Sequence, residues 1–260
     1  MSSAQGQGRL WGAAARDWAE LAEPVQAPFF EAALDALEIE SGTFLLDAGC
    51  GAGLALVLAA RRGAAVAGLD ASAGLLAVAR ERLPEADLRE GDLEALPYED
   101  DTFDAVTAFN SIQYAGNPTA ALREIKRVAR TGQRVAITTW GRPEQCEMRA
   151  VLAAIGSLLP PPPPGGGGAF ALAAPGALEQ LVESAGLTAE HAIEVPTPYT
   201  HHDFETAVRS HLSSGPARRA IDTAGLEATR EAVAGVCAEA LQPDGSVTFD
   251  NVFRVLIARA

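Results

Sequence analysis

The stretch LLDAGCGAG at 45–53 decides the fold. A short apolar run, Phe44-Leu45-Leu46, stops at an acid, Asp47, and three alternating glycines follow at Gly49, Gly51 and Gly53. An apolar run of this length, closed by such punctuation, reads as a buried strand. The glycines permit positive φ and let a ligand approach the backbone closely. Leu54 to Arg62 then reads as a helix ending near Gly63. Its first turn offers free N–H groups and a partial positive charge.

The same alternation continues outward. Ala64 to Leu69, Phe103 to Phe109 and Arg134 to Trp140 read as strands, with a weak one at Ala86 to Arg89. Between them lie a helix capped by Ser72 and carrying Leu75, Leu76 and Ala79, and one opened by Asn117-Pro118 and carrying Leu122, Ile125 and Val128. Such alternation implies βαβ units, a parallel sheet with right-handed crossovers, and ligands at the carboxyl ends of the strands. Upstream, 8–39 reads as two helices, one carrying Trp11, Ala15, Trp18, Leu21 and Ala22. The other carries Phe29, Phe30, Ala33, Leu34 and Leu37, with Pro24 and Pro28 interrupting. Downstream, PPPPPGGGG at 160–168 breaks the pattern as a surface loop, with a hinge as the alternative. Leu178, Leu181, Val182 and Ala185 mark a helix ended by Gly186. Leu187 to Val195 is a sixth strand, Phe204 to Leu241 is helical with breaks at Gly215-Pro216 and Gly225, and Val247 to Ala258 is a final strand. A helical insert that long between late strands suggests a substrate-binding lid. The expected organisation is an N-terminal helical cap (1–39), a cofactor-binding core (40–142), a linker with the remainder of the core (143–202), a helical lid (203–245) and the last core strand (246–260).

Composition narrows the function. The 260 residues are 48% hydrophobic and carry a formal charge of -14. An acidic surface repels phosphate backbones and anionic membranes, so neither nucleic acid nor membrane is expected as a partner. The three cysteines, Cys50, Cys146 and Cys237, fit neither a disulfide framework nor a zinc motif, and no metal is expected. MSSAQGQGRLWG lacks a signal-peptide core, and no apolar run reaches the roughly 18 residues of a membrane span. A soluble cytoplasmic protein is expected. The Ala, Arg, Gly and Pro bias resembles coding in GC-rich bacteria.

Two adenosine cofactors compete for the glycine loop. A dinucleotide site reads G-x-G-x-x-G, with pyrophosphate over the helix N-terminus. Here the spacing is G-x-G-x-G and Asp47 precedes it, which suits the ammonium of an amino-acid ligand better than a pyrophosphate. Asp70 lies nineteen positions past Gly51, near the roughly 20 expected of an acid that binds a ribose diol. Gly91-Asp92-Leu93 at the third strand end reads either as a turn or as a site where an acid accepts from an adenine amino group.

With LPYEDDTFDAV at 96–106 and ALREIKRVAR at 121–130 added, the chain over 40–142 resembles the class I S-adenosylmethionine-dependent methyltransferases, in particular the small-molecule group of ubiquinone and menaquinone biosynthesis. The resemblance implies a Rossmann-like α/β fold: a seven-stranded, mostly parallel sheet with helices on both faces, N-terminal helices and a helical lid inserted between late strands. It implies S-adenosylmethionine as cofactor, S-adenosylhomocysteine as product and a small-molecule methyl acceptor. Asp47, Gly49 and Gly51 would then hold the methionine part, with Gly53 packing the turn. Asp70 and Ala71 would meet the ribose, Asp92 and Leu93 the adenine, and Asn110 the methionine moiety. WGAAARDW at 11–18 resembles a helix that closes over the cofactor, with Trp11 where relatives often carry a tyrosine.

Methyl transfer from a sulfonium is an in-line displacement, which the protein promotes by alignment and exclusion of water. A base is needed only where the acceptor loses a proton. His201 and His202, in PYTHHDFE, are the candidates, with a solvent-facing helix cap as the alternative. His191 and His211 are expected to be structural or exposed. Gln113, Tyr114 and Trp140 follow strands four and five, at the edge where substrate should sit, although Trp140 suits the core equally. Competing functions are a cofactor-binding protein without transferase activity, such as a cyclase or regulator, and an NAD-dependent dehydrogenase.

Overall fold

The computed structural model describes residues 3–161 and 168–260; most of the proline–glycine run lies outside them. Strands and helices alternate as the periodicity predicts. In chain order they are α1 (Ser3–Gly12), α2 (Ala15–Asp17), α3 (Ala27–Ala36), β1 (Phe44–Ala48), α4 (Leu54–Arg61), β2 (Ala65–Asp70), α5 (Ala73–Arg82), β3 (Asp87–Glu90), β4 (Phe103–Phe109), α6 (Pro118–Val128), β5 (Ala129–Trp140), α7 (Met148–Ser157), α8 (Ala177–Ser184), β6 (Thr188–Pro196), β7 (Tyr199–His201), α9 (Phe204–Leu212), α10 (Gly215–Ala224), α11 (Leu226–Glu239), β8 (Val247–Phe249) and β9 (Val252–Arg259).

Seven strands form one sheet in the order β3-β2-β1-β4-β5-β9-β6. β9 runs antiparallel to both β5 and β6, while the pairs from β3 to β5 are parallel. This is the Rossmann-like fold. One face buries α3 and α4 against β1 and β9, through Phe29, Leu34, Leu56 and Phe253. The other buries α6 and α8, through Leu122, Ile125, Leu178 and Val182. Ser72 caps α5 by accepting from Leu75 N–H (3.2 Å), and Asn117 caps α6 by accepting from Ala120 N–H (3.1 Å).

The structure departs from the sequence reading in three places. The last strand is two. Val247–Phe249 pairs with Tyr199–His201 in a separate hairpin-like sheet that roots the three-helix insert α9–α11. The break falls at Asp250-Asn251, where Asn251 turns its side chain inward: Oδ1 accepts from Met148 N–H (3.1 Å) and Nδ2 donates to the Phe249 carbonyl (2.9 Å). Second, Met148–Ser157 is a helix, not linker, with Met148, Val151 and Ile155 buried. Third, the first helical segment does not run smoothly into the second. Trp18–Ala22 widens into a π turn, a feature that often marks functional sites.

α1 lies across the carboxyl end of the sheet, packed on the start of α5. A Cβ at Gly8 would stand 2.0 Å from the Ala71 carbonyl oxygen, and one at Gly74 would stand 2.8 Å from that of Gly12. Backbone therefore meets backbone. Gly6, in the same helix, has nothing within 4 Å of its added Cβ. Alanine at Gly6 should stabilise the protein by roughly 0.5–1 kcal/mol, through helix propensity alone. Alanine at Gly8 should reverse that sign by displacing α1, at a cost of about 1–3 kcal/mol. Thermal unfolding of the two variants checks the contrast.

Candidate active site

The site forms where β1, β2, β3 and β4 end. Gly49 (φ +91) and Gly51 (φ +55) turn the chain sharply after β1, in backbone that glycine adopts readily. Gly49 and Cys50 donate their N–H groups to the Leu69 carbonyl (2.7 and 3.0 Å), which ties the loop to the end of β2. Asp70 completes the tie. Its Oδ2 accepts from Gly51 N–H (2.9 Å) and its Oδ1 from Ser72 N–H (2.8 Å). Each oxygen retains lone-pair capacity for a ligand hydroxyl. Gly49 also admits β4: an added Cβ would meet the Ser111 Cβ at 2.4 Å, and Ser111 Oγ donates to the Ala48 carbonyl (2.8 Å). Asn110 sits in left-handed backbone (φ 51) at this turn.

A cavity of about 130 Å³ opens over this loop. Gly49, Gly51, Asp70, Ala71, Asp92, Leu93, Asn110, Tyr114 and Trp11 are among the residues that line it. These predicted residues are thus brought together. Asp47 lies beneath the loop instead, 1% exposed, with Thr107 Oγ1 donating to its Oδ1 (2.9 Å). Gly53 packs on Ala79 of α5. Gln113 lines no described cavity; its amide donates to Asn110 Oδ1 and so holds that side chain.

A second cavity, of about 60 Å³, lies deeper, between α7, α9 and the sheet. Trp11, Trp18, Gln26, Asn110 and Tyr114 border both cavities and form the wall between them. Trp140 lines the inner one, 6% exposed, so it serves core and cavity wall together. The two candidate bases are not there. His202 is exposed and pairs with Asp203 (2.7 Å), the N-cap of α9, which is the helix-cap alternative. His201 is buried but borders neither cavity. His211, expected to be structural or exposed, is 5% exposed and lines the inner cavity.

Electrostatics separate the two cavities. The outer one is lined by two carboxylates, Asp70 and Asp92, and by no Lys or Arg among the described residues. Glu23 lies close below. It accepts from Leu54 N–H (3.2 Å), the first turn of α4, and pairs with Arg82, which donates to the Ala19 and Ala52 carbonyls (both 2.8 Å). Burial raises the pKa of Glu23, Asp47 and Asp70, and carries Asp47 up to about 7, with Asp70 and Glu23 adding repulsion. Such a site resists pyrophosphate and welcomes a cation. Among the described residues, no side chain bordering the inner cavity is a carboxylate, Lys or Arg. Nothing marked Glu23, Arg82 or Gln26 as site residues in the sequence, because each reaches the site from a helix distant in the chain from the glycine loop; Trp18 closes the WGAAARDW segment.

Asp47 ionises near pH 7 in the fold and near 3.8 as a free side chain, so the folded state holds its proton more tightly. Its effect on stability is therefore most favourable below pH 3.8 and is lost as pH rises through 7. Asp47→Asn, a neutral isostere, should raise Tm relative to wild type at pH 8, with the difference closing by pH 4. Thermal scans across that range check it, and a difference that grew towards acid would reverse the sign.

Residues 46–137 match the family described as "Methyltransferase domain". Over 118 residues the chain is 34% identical to a demethylmenaquinone methyltransferase of Renibacterium salmoninarum, covering 45% of this chain and 50% of that protein. It is 36% identical over 107 residues to the corresponding protein of Streptomyces avermitilis, covering 41% and 46%. The methyltransferase GfsG of Streptomyces halstedii is 38% identical over 108 residues, covering 39% of each. The chain thus spans about half or less of the length of these curated relatives. Among solved structures, a putative methyltransferase from Bacillus halodurans shares the fold with a TM-score of 0.60 at 15% identity, covering 88% of this chain and 97% of that one. The [4+2]-cyclase SpnF shares it with a TM-score of 0.58 at 21% identity, covering 89% and 80%. The glycine loop, the strand-end acids and the family match coincide on one segment: residues 46–137 are similar to a methyltransferase domain.

Proposed function

We propose that the protein transfers a methyl group from S-adenosylmethionine to a small, largely apolar acceptor by in-line displacement. The observation that carries this reading is the pair of cavities that share one wall. Two carboxylates, Asp70 and Asp92, line the outer; among the described residues no carboxylate, Lys or Arg lines the inner, and Trp11, Trp18, Gln26, Asn110 and Tyr114 border both. The residues present fit the cofactor. Asp70 has spare acceptor capacity for ribose hydroxyls and Asp92 for an adenine amino group. The glycine turn leaves room for the methionine chain above the buried Asp47 carboxylate. When bound, the cofactor supplies an activated methyl group, so this chain need supply neither metal nor nucleophile. What the chain contributes is alignment and dryness, for which effective molarities are worth up to about 7–11 kcal/mol. Met148, Val151, Ile155 and Trp140 would bury the acceptor, and the aromatic wall would keep water from the reacting atoms.

No described helix is long and apolar enough to cross a membrane. The net charge of -14 supports a dissolved acceptor over nucleic acid, and a cytoplasmic setting goes with that reading.

Calorimetric titration is expected to give saturable binding of S-adenosylmethionine and S-adenosylhomocysteine and none of NADH. Asp70→Ala should weaken both by at least about tenfold, since it removes a charged hydrogen-bonding group and frees the loop. Binding of NADH without S-adenosylmethionine would overturn the reading, and binding without methyl transfer to any of a broad set of radiolabel-assayed acceptors would reduce it to cofactor binding alone.

A further inference from the structure

Among the residues lining the inner cavity, His211 carries a fully buried nitrogen without a partner. His211, on α9, is 5% exposed, and its Nε2 has no hydrogen-bond partner among the described residues. A buried imidazole nitrogen without a partner costs free energy, and a native site tolerates that cost most readily where a ligand supplies the partner. The ring is held rigidly for such a task. It stands edge-to-face with His201 at 5.5 Å and with Phe249 at 5.3 Å, both on the small β7–β8 sheet.

We propose that His211 recognises the acceptor, and that the acceptor is an uncharged molecule presenting a hydroxyl, which donates to Nε2. This rests on the reading that the inner cavity holds the methyl acceptor. Elimination supports it. Among the described residues no carboxylate, Lys or Arg borders the cavity, so an ammonium or carboxylate on the acceptor would be desolvated without a partner. Tyr114 and Tyr199, the other ionisable groups there, are buried with their pKa values raised, so both stay neutral phenols. Burial also drives the His211 pKa down, to about 3, with His201 opposing its charge, so its Nε2 is a neutral acceptor throughout the physiological range.

The same nitrogen completes the proton balance. As an oxygen lone pair forms the new O–CH₃ bond, the electrons of the breaking S–CH₃ bond return to sulfur and the hydroxyl proton passes to Nε2. One positive charge is extinguished on sulfur while one appears on His211. The net charge of the closed site does not change, which offsets the cost that makes this imidazole so weak a base in isolation. The low pKa then returns the proton to solvent once product leaves.

Phenol, anisole and toluene are suitable probes, applied to the full chain saturated with S-adenosylhomocysteine and labelled with ¹⁵N-histidine. Phenol should shift the His211 Nε2 resonance in the direction of a hydrogen-bonded nitrogen, and anisole and toluene should leave it in place. His211→Phe should weaken phenol binding about tenfold, one hydrogen bond's worth, with toluene binding and the S-adenosylhomocysteine Kd unchanged. His211→Gln, which keeps an acceptor oxygen, should restore part of the phenol affinity. An Nε2 resonance indifferent to phenol, or a preference for benzylammonium or benzoate over phenol, would overturn the proposal. Failure to bind S-adenosylhomocysteine would instead overturn the reading it rests on.

Discussion

The turn after β1 is fixed by backbone hydrogen bonds that converge from β2. Leu69 receives two N–H groups from Gly49 and Cys50, and the Asp70 carboxylate takes Gly51 on one side and Ser72 on the other. One acid thereby sets the distance between the glycine loop and the start of α5, the two edges of the cofactor cavity. The rest of the site is arranged around that spacing. Ser111, just past the end of β4, can lie against Gly49 only because Gly49 has no side chain. α1 can cross above Ala71 only because Gly8 has none either.

A second tie runs between elements that sequence separates widely. Glu23 caps α4 from outside, at Leu54, while Arg82 gathers Glu23, the Ala19 carbonyl and the Ala52 carbonyl. The N-terminal helices, the loop and α5 are thus joined by one ion pair with its donors satisfied, the condition under which buried charge is tolerable. Its net result is asymmetric. Three buried carboxylates lie near the loop and one guanidinium answers them, so the neighbourhood stays electronegative, which is the sense a sulfonium and an ammonium require.

The core of the fold was legible because it repeats. β1 and β2 are apolar runs closed by Asp, and α5 and α6 have their caps, Ser72 and Asn117, written beside them. The acids and glycines at strand ends were legible for the same reason, since strand ends converge in a parallel sheet. What was not legible depends on distant partners. β7 and β8 are three residues each and exist only as a pair. The division of the final strand turns on Asn251, whose side chain serves Met148 across the chain. α7 follows a Pro-rich turn and precedes the proline–glycine run, so its apolar face was read as linker. The histidines show the limit most clearly. His201-His202 stand out as a doublet, yet one is capped outside and the other is buried away from either cavity. His211, read as structural or exposed, borders the inner cavity, with α9 packed on β7–β8.

The glycine contact between α1 and α5 has a kinetic consequence. A cover built on side chains can let small molecules past by rotamer changes, on fast timescales. At Gly8 and Gly74 there is no side chain to turn, and the carbonyl oxygens of Ala71 and Gly12 fill the space a Cβ would need. Exchange past this edge requires the helix to lift as a body, breaking the Arg9–Asp222 pair to α10 and drawing Trp11 away from Gly215. Motions of that kind belong to the microsecond-to-millisecond range and commonly limit turnover in place of chemistry. The tempo of such a catalyst would then be set by the opening of its amino-terminal helix, with departure of the spent donor and re-formation of the inner wall occurring as one event.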